Sequence, residues 1–140
     1  MSNEAIFFHI INPGICPNSS RFDNISNIIT YKDNTIKSII VQDLFDYYDE
    51  NDLNETLISL KNKLEVSGSI EIQSIDLKRL SIAIAFEEIP ISFAQQLLYP
   101  NKKSIHTLYD IVNLLEKLNF KINNKKYINS IEYYISAIKL

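Results

Sequence analysis

The densest group of reactive side chains in this sequence is a run of six acidic residues with no basic residue among them. The six acids are Asp43, Asp46, Asp49, Glu50, Asp52 and Glu55. Closely spaced carboxylates can coordinate a divalent cation, but this run lacks the glycine and the final glutamate of an EF-hand loop. Acids also stabilise the first turn of a helix through the helix dipole. The run therefore favours a solvated loop and helix start over a metal site.

Apolar and aromatic residues are interleaved with these acids, at Leu44, Phe45, Tyr47 and Tyr48. Aromatic side chains are enriched in the hot spots of protein interfaces. These four residues are therefore the predicted contacts with a protein partner or with a second copy of the chain. A purely electrostatic alternative is an inhibitor or regulator whose acidic surface competes for basic sites on a host protein.

The two histidines and the single cysteine are scattered along the chain. His9 lies within an apolar run, which predicts a core histidine hydrogen-bonded to the backbone. His106 precedes a predicted helix, which favours a loop or capping role. Cys16 has no predicted base beside it, so we expect no nucleophilic thiol. Because these residues lack the spacing of zinc ligands, no metal site is predicted.

The composition limits the classes of function. The chain has 140 residues, 46% of them hydrophobic, and a formal net charge of -3, which is typical of one soluble globular domain spanning residues 1–140. Gly14 and Gly68 are the only glycines, so glycine-rich phosphate loops are excluded. Dedicated nucleic-acid binding is not expected, because only two residues are arginine and acids are in excess.

Membrane insertion and export are not expected either. No apolar run reaches the roughly 20 residues of a membrane span. Glu4 stands where a signal peptide carries basic charge. We therefore expect no membrane partner, no secretion by a signal peptide, and a cytoplasmic location.

Apolar runs and turn residues predict four strands before a C-terminal hairpin. The buried strands cover residues 5–11, 36–41 and 69–75, and a further extended segment covers residues 25–31. Residues 32–35 form a turn between strands. The hairpin pairs residues 120–122 with residues 127–140 around a turn at 123–126.

Leucines at helical spacing predict the first helix, which starts with Asn51 or Asp52 as the N-cap. We expect it to end near Glu65, because Ser67 and Gly68 supply a stop signal.

Three further helices are expected. Asp76 is the predicted cap of a helix that reaches residue 86, residues 92–99 form a short helix, and Thr107 with Asp110 predicts a capping box. Strands that alternate with helices indicate an α/β sandwich with a largely parallel sheet and a C-terminal antiparallel hairpin.

Several short motifs occur in a defined order. Residues 11–18 read I-N-P-G-I-C-P-N, residues 33–36 D-N-T-I, residues 42–48 Q-D-L-F-D-Y-Y, and residues 64–72 L-E-V-S-G-S-I-E-I. In this order they resemble the class I S-adenosylmethionine-dependent methyltransferase domain, whose counterparts are L-N-L-G-C-G-P-N, D-N-S-F, S-H-V-L-E-H-F and L-K-P-G-G-x-L-x-I. Residues 107–120 and 133–140 are similar to its late helix and final strand. The resemblance covers nearly the whole chain and implies a Rossmann-like fold.

The resemblance also implies a cofactor site. If the site is functional, S-adenosylmethionine is the implied cofactor, and Asn12, Gly14 and Gln42 are the residues that would bind it. Asp43 and Asp46 would then be the catalytic residues, since open α/β sheets place ligands at the carboxyl ends of their strands.

Departures from the family pattern predict that this site is degenerate. The first loop keeps only Gly14 where the family uses several glycines for close backbone approach, and Pro13 removes an amide donor. The family also carries an acid directly after its second strand. Asp23 is the only carboxylate between Asn18 and Asp33, and it lies too early to follow the predicted second strand. We therefore expect a shortened, degenerate fold that binds the cofactor weakly or not at all.

Three functions remain open. The first is a non-catalytic methyltransferase-like module that acts through protein association, as an accessory or structural subunit of a larger assembly. Similar short proteins occur among tailed bacteriophages, so a virion-associated location is the alternative to the cytoplasm of a host cell. The second is an active methyltransferase with an abbreviated site, and the third is the acidic inhibitor or regulator.

Overall fold

The computed structural model describes residues 5–9 and 19–22 as strand backbone, and residues 31–43, 45–98 and 103–140 with their side chains, except that of Tyr47. The described strands are β1 (Ala5–His9), β2 (Ser19–Phe22), β3 (Ile36–Gln42), β4 (Leu64–Ile75), β5 (Phe120–Tyr127) and β6 (Glu132–Lys139). They form one sheet in the order β2-β1-β3-β4-β6-β5. This confirms the strands predicted near residues 5–11, 36–41 and 69–75, whereas the segment at 25–31 falls almost wholly outside the described residues.

The sheet is mixed, so the prediction of a largely parallel sheet is corrected. Strands β1 and β2, β1 and β3, and β3 and β4 pair in parallel. Strand β6 is antiparallel to both β4 and β5. A tight connection joins β5 to β6, so these two strands must run in opposite directions. Because β6 rather than β5 lies beside β4, the hairpin adds a second antiparallel pair.

The described helices are α1 (Glu50–Lys63), α2 (Leu77–Ala85), α3 (Ile91–Leu98) and α4 (Leu108–Lys117). The cap of α1 is shifted from the predicted Asn51 or Asp52 to Asp49, whose side chain accepts a hydrogen bond from the backbone N–H of Asp52 at 2.9 Å. At α4 the predicted capping box is present, with hydrogen bonds in both directions between Thr107 and Asp110. None of the helices in the described ranges is long and apolar enough to cross a bilayer.

The main core lies between one face of the sheet and helices α1 and α4. The buried helical residues are Leu53, Leu57 and Leu60 of α1, and Leu108, Ile111, Val112 and Leu115 of α4. The buried strand residues include Ile39, Val41, Ile70, Ile72, Ile135 and Ala137. On its opposite face, β4 carries Ser69, Glu71 and Gln73, which are partly exposed. This alternation fits a sheet with one packed face and one more polar face.

Ser67 and Gly68 lie inside β4 and do not end α1 as predicted. Helix α1 ends before Leu64, which is already the first residue of β4. The left-handed backbone conformation falls on Ser67, with a φ of 66°. A Cβ atom at Gly68 would lie 2.8 Å from the carbonyl oxygen of Glu65 and 3.1 Å from that of Ile36. Glycine is needed here because backbone carbonyl groups approach it closely.

The hairpin turn lies later in the sequence than predicted. Residues 123–126 belong to β5, and the chain reverses at residues 128–131. There the side-chain oxygen of Asn129 accepts hydrogen bonds from the backbone N–H groups of Ile131 at 3.0 Å and Glu132 at 2.9 Å. Asparagines and lysines at 123–126 resemble a turn in composition, but they lie on the edge strand, where polar side chains discourage further strand pairing.

The second strand begins earlier than predicted. Strand β2 pairs with β1 although only residues 10–18 separate them. Because β2 ends at Phe22, Asp23 is the first residue after its carboxyl end. The expectation that Asp23 lies too early to follow a second strand is therefore wrong. Because the connection after β1 is short, β2 begins at Ser19, before the extended segment predicted at residues 25–31.

Candidate functional site

The carboxyl ends of β1, β3 and β4 form one edge of the sheet, where open α/β folds place their ligands. The strand register aligns His9 with Gln42, and Gln42 with Gln73. Gln42 is partly buried at the end of β3. Asp43 follows in the left-handed region with a φ of 55°, and its backbone N–H donates a hydrogen bond to the carbonyl oxygen of Gln73 at 3.0 Å. The chain thus leaves β3 while still bonded to β4.

Asp46 is buried at this edge. It lies in the short 3-10 helix Phe45–Tyr47 and is 1% exposed. The hydroxyl of Ser74 donates a hydrogen bond to Asp46 Oδ2 at 2.9 Å. The carbonyl oxygen of Asp46 accepts hydrogen bonds from the backbone N–H groups of Lys103 at 2.7 Å and Ser104 at 3.0 Å. The side chain predicted for substrate chemistry is therefore part of an internal network.

Residues 103–107 continue this network across the edge. Ser104 Oγ donates a hydrogen bond to the carbonyl oxygen of Tyr48 at 2.6 Å and lies 2.9 Å from His106 Nε2. The backbone N–H of Leu77 donates to the carbonyl oxygen of His106 at 3.0 Å. His106 lies in a loop, as predicted, and this loop joins the 3-10 helix to the start of α2.

Asp76 is a second buried acid near the end of β4 and is 0% exposed. Its Oδ1 accepts a hydrogen bond from the backbone N–H of Arg79 at 2.8 Å, which confirms the predicted cap of α2. Its Oδ2 accepts a hydrogen bond from the backbone N–H of Leu108 at 2.7 Å. One carboxylate thus stabilises the starts of both α2 and α4.

Tyr133 lies among these acids and is 1% exposed. Burial raises the pKa of its hydroxyl well above the usual range, and the carboxylates of Asp46, Asp76 and Asp43 raise the pKa further. The neutral phenol is the form that suits a buried site next to several negative charges. No buried side-chain nitrogen or oxygen in the described ranges lacks a hydrogen-bond partner, so the interior polar groups near this edge are satisfied.

Two of the four predicted protein-contact residues, Phe45 and Tyr48, have described side chains, and neither is exposed. Phe45 is 1% exposed and belongs to the main core, so its predicted role in partner binding is corrected. Tyr48 is partly buried and packs against the core. Burial raises the pKa of Tyr48, and the nearby charge of Asp52 adds to the increase. Leu44 and the side chain of Tyr47 lie outside the described part of the chain.

The acidic run divides into two parts. Asp49, Glu50, Asp52 and Glu55 are exposed on α1 or at its N-cap. Asp49 is the cap of α1, and Glu50 and Asp52 lie in its first turn, which confirms the helix-start interpretation for these three acids. Glu55 lies further along the helix. Within the described ranges, no group of three or more His, Cys, Asp or Glu side chains is placed to hold a metal ion.

The residues predicted to bind the cofactor fall largely on segments that are not described. Asn12, Gly14 and Cys16 lie outside the described residues, as does the side chain of His9. Their roles stay predictions. Gln42 is the one predicted cofactor residue whose surroundings are described.

Gln42 lines a small cavity on the polar face of the sheet, together with Ile40, Gln73 and Tyr134. The cavity volume of about 220 Å³ is below the roughly 300 Å³ at which small-molecule pockets begin. The hydroxyl of Tyr134 donates a hydrogen bond to Glu71 Oε1. Partial burial and the interaction with Glu71 raise the pKa of Tyr134 to about 12.

Sequence reasoning missed Ser74 and Tyr133 as members of the polar network. Ser74 follows the inward positions of Ile70 and Ile72 along β4, and Tyr133 is in phase with the buried Ile135. A polar residue at an inward position of a strand indicates a buried hydrogen bond, because an unpaired group there is costly. The alternation of inward and outward residues along β4 and β6 therefore indicates that Ser74 and Tyr133 are buried and hydrogen-bonded.

No protein-family model and no curated protein matches the sequence. Solved structures do match the fold. The PH0226 protein from Pyrococcus horikoshii has a TM-score of 0.65 at 15% identity, over 88% of this chain and 60% of that one. A SAM-dependent methyltransferase from Archaeoglobus fulgidus has a TM-score of 0.59 at 19% identity, over 87% of this chain and 67% of that one.

A third similar structure is a putative S-adenosylmethionine-dependent methyltransferase from Listeria monocytogenes. It has a TM-score of 0.64 at 13% identity, over 99% of this chain and 81% of that one. These likenesses show a methyltransferase-like, Rossmann-like fold. The chain spans about 60% of the length of the Pyrococcus protein.

Proposed function

We propose that this protein is a non-catalytic module with a methyltransferase-like fold, which acts by associating with protein as an accessory or structural subunit of a larger assembly. The observation that carries this proposal is the burial of the Asp46 carboxylate, which is 1% exposed and accepts a hydrogen bond from the Ser74 hydroxyl. The backbone carbonyl oxygen of Asp46 accepts two more, from the N–H groups of Lys103 and Ser104. A phage virion as that assembly stays a prediction from the sequence.

The bonding of Asp46 matters because methyl transfer depends on a substrate nucleophile positioned against the sulfonium of the cofactor. A carboxylate acting as a general base must lie within reach of the substrate proton. Asp46 would have to leave a buried position and break its bond to Ser74 to do so. Asp76, the other buried acid at this edge, is engaged by the N–H groups of Arg79 and Leu108. The described part of the edge therefore fits S-adenosylmethionine poorly, and we derive no chemical step through it.

The short connection between the first two strands is a second argument. The family pattern has a helix between these strands, and residues 10–18 leave no room for one of ordinary length. Pro13 also lacks the N–H that a cofactor carboxylate would accept from the loop. Loss of this loop donor weakens binding of an anionic group.

A second candidate is an active methyltransferase with an abbreviated site. It is favoured by the position of Asp23 directly after β2, where the resemblance implies an acid for the ribose hydroxyls of the cofactor. Asp43 is only partly buried, at the carboxyl end of β3, and remains the better placed of the two predicted catalytic acids.

Calorimetric titration of the full chain with S-adenosylmethionine separates the two candidates. We expect no binding at micromolar concentrations, whereas an active methyltransferase run in parallel should bind. Micromolar affinity that is lost in Asp23→Asn would overturn the proposal and support the second candidate.

Labelled methyl transfer gives an independent readout. The non-catalytic proposal expects no transfer to protein, nucleic acid or small-molecule acceptors. Transfer that disappears in Asp43→Asn would assign this residue to catalysis. Asp43 is suitable for the test because it is more exposed than Asp46, so its replacement should disturb the fold less.

A further inference from the structure

Helices α2 and α3, with the turn between them, carry an exposed apolar surface. Half of the ten large hydrophobic side chains that are exposed in the described ranges fall within residues 77–93. The five are Leu77, Ile82, Phe86, Ile91 and Phe93. Phe86 is 75% exposed and Ile91 is 63% exposed. Large apolar side chains that stay exposed on two successive helices are candidates for an interaction site.

Helix α2 has two distinct faces. Leu80 and Ala83 are its buried residues, and neither belongs to the main core. At 100° per residue, Lys78, Ile82 and Ala85 lie on the opposite, exposed side. The small side chain of Ala85 beside Ile82 permits another helix to approach closely. The outer face of α2 is therefore suited to helix packing.

Charges are arranged with opposite signs at the two ends of this helix. Lys78 is exposed in the first turn, and Glu87 and Glu88 are exposed in the turn that follows the helix. A second α2 packed antiparallel, with Ile82 near the twofold axis, would bring Lys78 opposite Glu87 and Glu88 of the partner subunit. Twofold symmetry repeats every contact, so both ends of the interface would be complementary.

The geometry points to a twofold homodimer formed through α2 and α3, in which the partner is a second copy of this chain. This inference rests on the proposed function, protein association, and names the surface and the partner. The exposed residues of the range 77–98 contribute the surface. Ile82 and Phe86 supply the apolar contacts, and the charge pairs fix the antiparallel direction.

Light scattering of the full chain across a concentration series tests the inference. We expect the measured mass to rise from that of a 16.2 kDa monomer to twice that value. Ile82→Asp should weaken dimerisation by at least about tenfold, because it places two like charges near the axis. Ile58→Asp is the matched control, because Ile58 lies on α1 and is 39% exposed against 38% for Ile82. It should dimerise like the wild type.

A charge exchange tests the direction of packing. Lys78→Glu alone and the double change Glu87→Lys with Glu88→Lys alone should each dimerise at least about tenfold more weakly than the wild type. An equimolar mixture of the two variants should form a heterodimer, because opposite charges then face each other at both ends. Recovery in the mixture also shows that both variants are folded. Each change places a charge that suits the helix dipole at its own end of α2.

The outcomes separate failure of this inference from failure of the proposed function. A wild-type mass of one chain at every concentration would overturn the dimer. A dimer that Ile82→Asp and both charge variants leave intact would place the interface elsewhere and also overturn the inference. Neither result changes the titration with S-adenosylmethionine, which tests the proposed function separately.

Discussion

Ser74 donates a hydrogen bond to Asp46 at the carboxyl end of the sheet, with 2.9 Å between Ser74 Oγ and Asp46 Oδ2. Both residues are 1% exposed. The bond joins the 3-10 helix after β3 to the end of strand β4. The carbonyl oxygen of Asp46 joins the same 3-10 helix to residues 103 and 104. The side chain and the backbone carbonyl of Asp46 together join three segments, so this residue is placed to support the fold.

Replacement of Asp46 should therefore lower stability. Asp46→Ala removes a charged acceptor and leaves the Ser74 hydroxyl buried without it, so the free energy of unfolding should fall by about 2–3 kcal/mol. Urea unfolding measures this change. Ser74→Ala and the double variant complete a cycle whose coupling should be about 1 kcal/mol or more. Asp43→Asn is the control, because asparagine tolerates the left-handed conformation of this residue, and a loss of stability in this variant equal to that in Asp46→Ala would contradict the structural role of Asp46.

Replacement of Asp76 should lower the free energy of unfolding more than replacement of Asp46, the other buried acid. Asp76→Ala removes the acceptor for N–H groups at the starts of α2 and α4, so we expect the free energy of unfolding to fall by about 3 kcal/mol or more. Asp76→Asn keeps one carbonyl oxygen and should recover roughly half of that loss. Asp110→Ala, at the exposed capping box of α4, should cost only about 1 kcal/mol. Chemical unfolding of the three variants would contradict this account if Asp76→Ala resembled Asp110→Ala.

The raised pKa of Tyr133 predicts that the protein loses stability in alkaline solution. Its pKa is raised well above 10.0 in the folded state, chiefly by burial. Above about pH 10 the unfolded chain loses the phenol proton while the folded chain retains it. The unfolded state then binds fewer protons, so the free energy of unfolding falls as the pH rises. This contribution to stability is fully present below about pH 10.

Tyr133→Phe isolates this effect. The variant lacks the ionisable group, so the stability difference between wild type and variant should shrink by up to about 1.4 kcal/mol for each pH unit above 10. Denaturant unfolding at neutral pH and at several alkaline values measures the difference. A gap that stays constant across that range would show that the hydroxyl ionises equally in both states.

Local signals in the sequence predicted local structure correctly. Asp76 and the pair Thr107 and Asp110 cap helices because their short side chains reach N–H groups only three residues away. The turn before β3 and the leucine face of α1 are similarly local, since each depends on neighbours within a few residues. The acids at the start of α1 also follow from interaction with the helix dipole.

Long-range contacts decided the features that the sequence did not reveal. Phe45 is buried because it belongs to the main core, although its acidic neighbours in the sequence suggest a surface. The second bond of Asp76 reaches Leu108, which is distant in sequence. The early start of β2 before Asp23 depends on pairing with β1, since its sequence has little apolar alternation. No periodicity within a single element encodes these contacts.

Gly68 is required by the fold, but as a close-contact position in β4 and not as the predicted helix stop. Gly68→Ala tests this structural explanation. The new Cβ would lie 2.8 Å from the carbonyl oxygen of Glu65 and 3.1 Å from that of Ile36, so the backbone of β4 near Glu65 must shift and the contact with β3 must loosen. We expect the free energy of unfolding to fall by about 1–3 kcal/mol. Ser67→Gly is the control, because Ser67 adopts a φ of 66° and glycine there should raise stability by up to about 1 kcal/mol. If the sequence interpretation of a helix stop at Gly68 were correct, Gly68→Ala would lengthen α1 and increase the helical circular dichroism signal; we expect that signal to stay unchanged while the unfolding midpoint falls.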